Sequence, residues 1–277
     1  MRNKLNSKAA FFAVILLFSL VFSCKKDEVY EMSADDISLA EVLVKSKLVV
    51  GVNTHNPPMC FFNNKQELVG FDVDVFKELA DKMNIEVEFF HIDVSTMFDL
   101  INDGTIDCIA LGLSYSEERS KVLELTKPYL RNVVVILSLQ SKDLKTIEDL
   151  EGKKIGGEKK SLSISLLKNN PDIMSRVSEV KESYNNIPEV LSDLKNYGID
   201  ACVGDITTLA LYLKTEPNVY TLFEQAIALD SYVYAFKKGN LALKKEVEQN
   251  LLEMEERGIF EKISRKWFGI NLVIFGK

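Results

Sequence analysis

The sequence predicts an α/β protein of two similarly built lobes, and three observations carry that prediction. Short apolar runs alternate with amphipathic ones, strand then helix, through both halves of the chain, which is the grammar of a parallel sheet with covering helices. The run Gly104-Thr105-Ile106-Asp107-Cys108-Ile109 is echoed by Gly198-Ile199-Asp200-Ala201-Cys202-Val203. In each copy a helix, a glycine suited to its C-cap, an Ile-Asp pair and a buried strand follow in order. Finally, two β-rich apolar runs, 133–139 and 226–236, lead away from the first half and back to it. Two such extended crossings make a hinge, with a ligand cleft between the lobes.

The first residues are expected to lie outside that fold. Arg2, Lys4 and Lys8 precede an apolar stretch over 9–22, the pattern of a bacterial export signal spanning 1–23. The stretch is too short for a stable membrane span. Val21-Phe22-Ser23-Cys24 resembles a lipobox, although Phe22 is bulkier than that motif usually takes. Cys24 would then be lipidated, becoming the mature N-terminus and a membrane anchor, and residues 24–45 would be a tether. Removing the signal's three positive charges takes the net charge from −7 to −10. Lys and Arg are otherwise interspersed with Asp and Glu, so no basic patch points to nucleic acid. Hydrophobic residues make up 47% of the chain, enough for substantial cores. Beyond Cys24 stand Cys60, Cys108 and Cys202, odd in number, widely spaced, and two of them in predicted strands. They read as buried free thiols rather than a disulfide or metal set. His55 and His91 are the only histidines and lack a ligand-like spacing, so neither a metal nor a cofactor is expected.

In chain order, Leu48-Val49-Val50-Gly51-Val52 predicts a strand, closed by the polar loop Asn53-Thr54-His55-Asn56-Pro57-Pro58, since a proline pair does not continue a strand. Phe61-Phe62 and Leu68-Val69 predict a hairpin. A helix follows from Gly70-Phe71-Asp72 to about Lys82, capped by Asp72 or Asp74 and buried along Phe76, Leu79, Ala80 and Met83. A strand over 87–92, a short helix over 96–102 and a strand over 107–111 complete the first unit. The second unit reads as a strand at 154–157, a helix at 162–168 started by Ser161, and an extended piece at 177–181. A helix at 187–196, a strand at 201–205 and a helix at 207–213 follow. Val247, Leu251, Met254, Ile259, Ile263 and Trp267 give the last helices their apolar positions, with Gly258 as a break. The expected division is lobe 1 over 46–132 plus 230–269, lobe 2 over 133–229, and a C-terminal tail over 270–277.

The residues with chemistry cluster at strand ends. The strand at 107–111 opens into Gly112-Leu113-Ser114-Tyr115-Ser116, whose small and hydroxyl residues leave backbone N–H groups free for a ligand. Ser116 is placed to cap a helical turn starting at Glu117-Glu118-Arg119. Arg119 offers the paired N–H donors that suit a small carboxylate, a geometry Lys does not reproduce. A lone arginine is ordinarily just a surface residue; its neighbours give this one significance. Asp205, at the end of the 201–205 strand, is opposite in sign and also sits where a helix N-cap belongs.

Four segments carry a family resemblance: Leu68-Val69-Gly70-Phe71-Asp72-Val73-Asp74; Ser114 to Arg119 with Thr126-Lys127-Pro128-Tyr129; Asp149-Leu150-Glu151-Gly152-Lys153-Lys154-Ile155-Gly156; and Gly258 with Lys266-Trp267-Phe268-Gly269. Over about 46–269 the chain resembles bacterial extracellular solute-binding proteins of the polar amino-acid family, which feed ABC importers. The resemblance implies a two-lobed periplasmic-binding-protein-like fold of class II type, closing on a free amino acid. It implies that Arg119 grips the ligand α-carboxylate with Ser114 beside it and Gly112 as a backbone contact. Asp205 would receive the α-ammonium, and Ser161 stands at a helix start that also attracts the carboxylate. The family's usual aromatic clamps fall here at Asn56 and Val94, so no particular amino acid carries over. His55 reads as a surface loop residue. The resemblance implies a monomeric, lipid-anchored, extracytoplasmic receptor with a small-molecule ligand and an ABC permease as partners. A sensory module for a separate signalling partner and a dehydratase-like enzyme on the same scaffold are the alternatives. No Ser/His/Asp or Cys/His arrangement supports the enzyme.

Overall fold

The repeat seen in the sequence returns as strand order. In the computed structural model, which describes residues 35–159 and 161–276, strand β1 (Lys47–Val52) lies between β5 (Glu86–His91) and β6 (Cys108–Ser114), all parallel. Strand β9 (Lys154–Glu158) lies in the same way between β10 (Glu179–Tyr184) and β11 (Ala201–Asp205). Each trio therefore sets its first strand in the middle. Between the trios run β8 (Leu130–Leu139) and β13 (Ala228–Lys237), antiparallel to each other and to their neighbours β11 and β6. These are the two predicted crossings, and they join both trios into one sheet with the order β10-β9-β11-β8-β13-β6-β1-β5. The short strands β7 (Leu123–Leu125) and β12 (Tyr220–Leu222) add to β13 and β8. The predicted hairpin is present as β3 (Cys60–Phe62) and β4 (Leu68–Val69), with β2 (His55–Asn56) beside β3.

Asp35–Lys277 groups as one compact unit, and one sheet runs through both crossing strands. The largest apolar cluster reaches from Val42 through Tyr129 and Tyr234 to Leu209. Two smaller ones surround Ile106, Ile109 and Val233, and Ile136, Ile155 and Val203. Cys60, Cys108 and Cys202 are buried free thiols.

Several local expectations are corrected. The expected tether ends sooner: α1 (Ser38–Lys45) is helical and buries Val42. Asp36 Oδ2 accepts the Ala242 N–H and Ser38 Oγ accepts the Leu243 N–H, so this segment caps the helix Leu241–Glu256. The signal, Cys24 and the tether up to residue 34 lie outside the described residues. Helix α2 (Phe71–Met83) is capped by neither aspartate. Asp72 is instead fully buried against two tyrosines, and Asp74 accepts from Trp267 Nε1 at 2.7 Å. The helix over 187–195 is closed by Asn196, and Tyr197 after it, not the expected glycine, takes the left-handed conformation. A Cβ at Gly198 would meet the Asp193 carboxylate, which accepts from Lys181 Nζ and the Tyr184 hydroxyl and would have to shift. A helix at Pro171–Arg176, started by Asn170, was not expected. The tail does not hang free: the Arg131 N–H donates to Leu272 O and the Ile274 N–H to Tyr129 O, laying it along the start of β8.

Candidate functional site

The carboxyl ends of β6 and β11 meet beside the crossing strands, and register decides what they present. Ser114, the last residue of β6, pairs with Tyr232 of β13. Asn132 of β8 pairs with Asp230 of β13, and Asp205 of β11 with Val134 of β8. Directly paired residues share a face of the sheet, so Asn132 and Asp230 emerge together. A continuous polar chain results. Ser114 Oγ donates to Asp230 Oδ2 at 2.8 Å. Asn132 Nδ2 donates to Asp230 Oδ2 at 3.3 Å and to Asp205 Oδ1 at 3.1 Å. Ser163 Oγ, on the helix Leu162–Lys168, donates to Asp205 Oδ1 at 3.2 Å. Thr207 Oγ1 donates to Asn132 Oδ1 at 3.2 Å. Its proton is thereby committed, so the Tyr232 hydroxyl, 3.1 Å away, is the donor to Thr207. The whole amide of Asn132 is used, as a polar group that is only 1% exposed requires.

Arg119 stands at one end of this chain. Ser116 Oγ accepts the Arg119 N–H at 3.2 Å, the cap expected from the sequence. Arg119 Nη1 donates to the backbone oxygen of Ser114 at 2.6 Å, which folds the guanidinium back over the end of β6. Among the described residues no carboxylate lies within ion-pair distance of it. Asp205, at the other end, is not bonded as a helix cap. Burial raises its pKa, the bonds from Asn132 and Ser163 pull it back down, and the negative charge of Asp230 pushes it up again.

Gly112 lies inside β6 rather than in an open loop, since Leu113 and Ser114 still pair with β13. Its φ of +68° and a register shift in β13 mark the irregularity. A Cβ at Gly112 would stand 3.3 Å from the Tyr232 ring, a tight approach, and in ordinary contact with Asn56 Nδ2 at 3.5 Å, so it is the positive φ that favours glycine here. Asn56 is held there by donating to Leu111 O at 3.3 Å. The structure thus gathers Gly112, Ser114, Asn56, Arg119 and Asp205 around β13. Ser161 caps its own helix by accepting the Ile164 N–H, and its neighbour Ser163 reaches Asp205 instead. Val94 is 56% exposed and makes no polar contact with the cluster. His55 packs edge-on against His91, ring centroids 5.3 Å apart, although the two are 36 positions apart in sequence. Asn132, Asp230, Thr207, Tyr232 and Ser163 were missed by reading the sequence. The only signal for the first two was a polar residue just before the first apolar crossing run and another inside the second.

A guanidinium and a carboxylate are thus set near the carboxyl ends of strands on either side of the two crossing strands, where α/β sheets commonly take small ligands. Residues 48–270 match the bacterial extracellular solute-binding proteins, family 3, and the chain belongs to that family. It is 29% identical over 227 residues to the ABC transporter arginine-binding protein 1 of Escherichia coli (strain K12), covering 80% of this chain and 90% of that protein. Among solved structures it is similar to Tv2483 bound to L-arginine, at 33% identity and a TM-score of 0.70, covering 87% and 98% of the two chains. It is also similar to an ABC uptake transporter substrate-binding protein from Streptococcus pneumoniae with bound histidine, at 26% identity and a TM-score of 0.69, covering 87% and 99%. The mixed α/β architecture is that of these amino-acid-binding structures.

Proposed function

We propose that this chain is the receptor of an ABC importer, capturing an amino acid outside the cytoplasm and delivering it to a membrane permease. The observation that carries this reading is the placement of Arg119 and Asp205 at opposite ends of one polar chain through β8 and β13. Arg119 would hold the α-carboxylate, with the Ser114 hydroxyl and the backbone at Gly112 beside it, and Asp205 would take the α-ammonium. Asn56 would face the ligand next to Gly112. Support comes from the amino acids bound by relatives, among them arginine for the Escherichia coli protein and histidine for the Streptococcus pneumoniae structure.

In this reading the segments 46–132 plus 230–269 and 133–229 act as two lobes, with β8 and β13 as the hinge. Binding between them stabilises a closed shape that the permease recognises. The receptor would work as a monomer and be held at the membrane by a lipid on Cys24. No helix among the described residues is long and apolar enough to cross a membrane.

The test is a thermal-shift screen of the purified protein against the amino acids, repeated with Arg119→Ala. A ligand at a hundredfold excess over its Kd stabilises by about 2.7 kcal/mol. Leaving its carboxylate unpaired on removal of Arg119 costs roughly 3–5 kcal/mol, so the shift should vanish in the variant. A hit that persists undiminished in Arg119→Ala would show that the carboxylate is held elsewhere.

A further inference from the structure

The amino-acid reading occupies Arg119 and Asp205 and leaves Asp230 without a role; any role for Asp230 at the same site rests on that reading. Asp230 is not an incidental surface acid. Its Oδ1 accepts the Ser231 N–H at 2.7 Å, and its Oδ2 accepts from both Ser114 Oγ and Asn132 Nδ2. The same Asn132 nitrogen donates to Asp205. An amide nitrogen carries two N–H bonds, so one buried side chain, by spending both, sets two carboxylates side by side on the ligand face.

A third acid stands close to them. Glu158 ends β9, the parallel neighbour of β11. β9 and β11 run parallel and pair at Ala201–Ile155 and Cys202–Gly156, so Glu158 and Asp205 stand at the carboxyl ends of adjacent strands. Burial and the charge of Asp205 both raise the pKa of Glu158, which is consistent with that closeness. Among the described residues none of these three acids is in an ion pair, and Arg119 is the guanidinium at the end of their polar chain. Arg131 precedes Asn132 on β8 and so faces the other side of the sheet. Lys159 donates to Asn185.

The two α-groups of an amino acid cancel, so a neutral zwitterion leaves this negative excess uncompensated, and an acidic one adds to it. A ligand with a second positive charge offsets it. We propose that Asp230, positioned beside Asp205 by Asn132, is a specificity-determining carboxylate that makes this site prefer amino acids with a cationic side chain over neutral or acidic ones.

Arginine and citrulline separate the charge from the shape, since citrulline replaces the guanidinium by a neutral urea of nearly equal size. Isothermal titration of the purified full-length protein should find arginine at least tenfold tighter than citrulline, and glutamate weaker than either. Asp230→Asn keeps the size of the side chain and removes its charge; it should lower the arginine-to-citrulline ratio at least fivefold, with the circular dichroism spectrum unchanged. Glu158→Gln, on a different strand, should lower the same ratio and replaces Asp230→Asn as the readout if that variant misfolds. Equal affinities for arginine and citrulline in the parent, or a ratio that neither variant moves, would overturn the proposal. If a neutral amino acid binds in an Arg119-dependent way without any preference for arginine, this inference falls while the receptor reading stands. Should no amino acid of any charge bind, the receptor reading falls and takes this inference with it.

Discussion

Asp72 makes a measurable pH dependence out of a buried carboxyl group. It sits in the first turn of α2 with no exposed surface. Its Oδ1 accepts the hydroxyls of Tyr129 at 3.1 Å and Tyr234 at 3.0 Å, whose rings stack with centroids 3.9 Å apart. Tyr234 lies on β13 and Tyr129 immediately precedes β8, so this one group ties a helix to both crossing strands. Its Oδ2 has no hydrogen-bond partner among the described residues. Burial outweighs the two hydroxyl bonds and raises its pKa to about 7, against an ordinary value near 3.9 in the unfolded chain. Between those values the folded protein keeps a proton that the unfolded chain has released. The contribution to stability is therefore whole below about pH 4, declines as pH rises, and is gone above about pH 7. A span of roughly three pH units is worth about 4 kcal/mol. Urea unfolding of the parent and of Asp72→Asn from pH 5 to pH 8.5 measures this directly. The parent should lose roughly 2–3 kcal/mol relative to the variant between pH 5 and pH 7, after which the difference should stay flat. A difference that is constant over the whole range would refute the argument, because Asp72 would then hold the same charge throughout.

Two further outcomes rest on the packing. Gly70 has φ +147°, and a Cβ there would lie 2.1 Å from the backbone oxygen of Met59, which is fixed by accepting the Asp72 N–H. Gly70→Ala should cost more than about 3 kcal/mol or prevent folding, and a melting temperature close to the parent's would contradict that geometry. Cys60, Cys108 and Cys202 are at most 1% exposed, and burial pushes the Cys60 and Cys202 thiols up to about 12. A thiol reagent should label none of the three in native buffer and all three in denaturant, and rapid native labelling of any one would show local opening there.

The parts of the fold legible in the sequence are those set by local pattern. Apolar runs and turn residues located the strands of both trios, because alternation and length act over a few residues. Ser116 as the cap that starts the turn carrying Arg119 was legible for the same reason: hydroxyl and N–H are three residues apart. Asp205 was legible as a carboxylate ending a strand. Asn132 and Asp230 were not, and distance explains why. They are 98 positions apart, and only the register between β8 and β13 sets them opposite each other. The expected lobe boundaries fall at 132/133 and 229/230, beside these very residues, yet nothing local in the sequence marks them as a pair. The helical α1 was missed because its polar residues are used in capping another helix, a tertiary role that composition does not reveal.

That pairing also explains why the site forms at the junction and not within either trio. A parallel trio with its first strand in the middle leaves its outer two strands on opposite sides, and loops at the carboxyl ends part there to admit a ligand. Here the third strand of each trio, β6 and β11, flanks the crossing pair, so both open ends converge on β8 and β13. Ser114 from one trio and Asp205 from the other cannot reach each other; Asp230 and Asn132, one from each crossing strand, supply the two steps between them. These hydrogen bonds cross both strands and join one trio to the other. In the proposed reading, the residues that would hold the ligand groups and those that join the crossing strands are one connected set. In that reading, charge placed on the set by a ligand would act directly on the crossing strands.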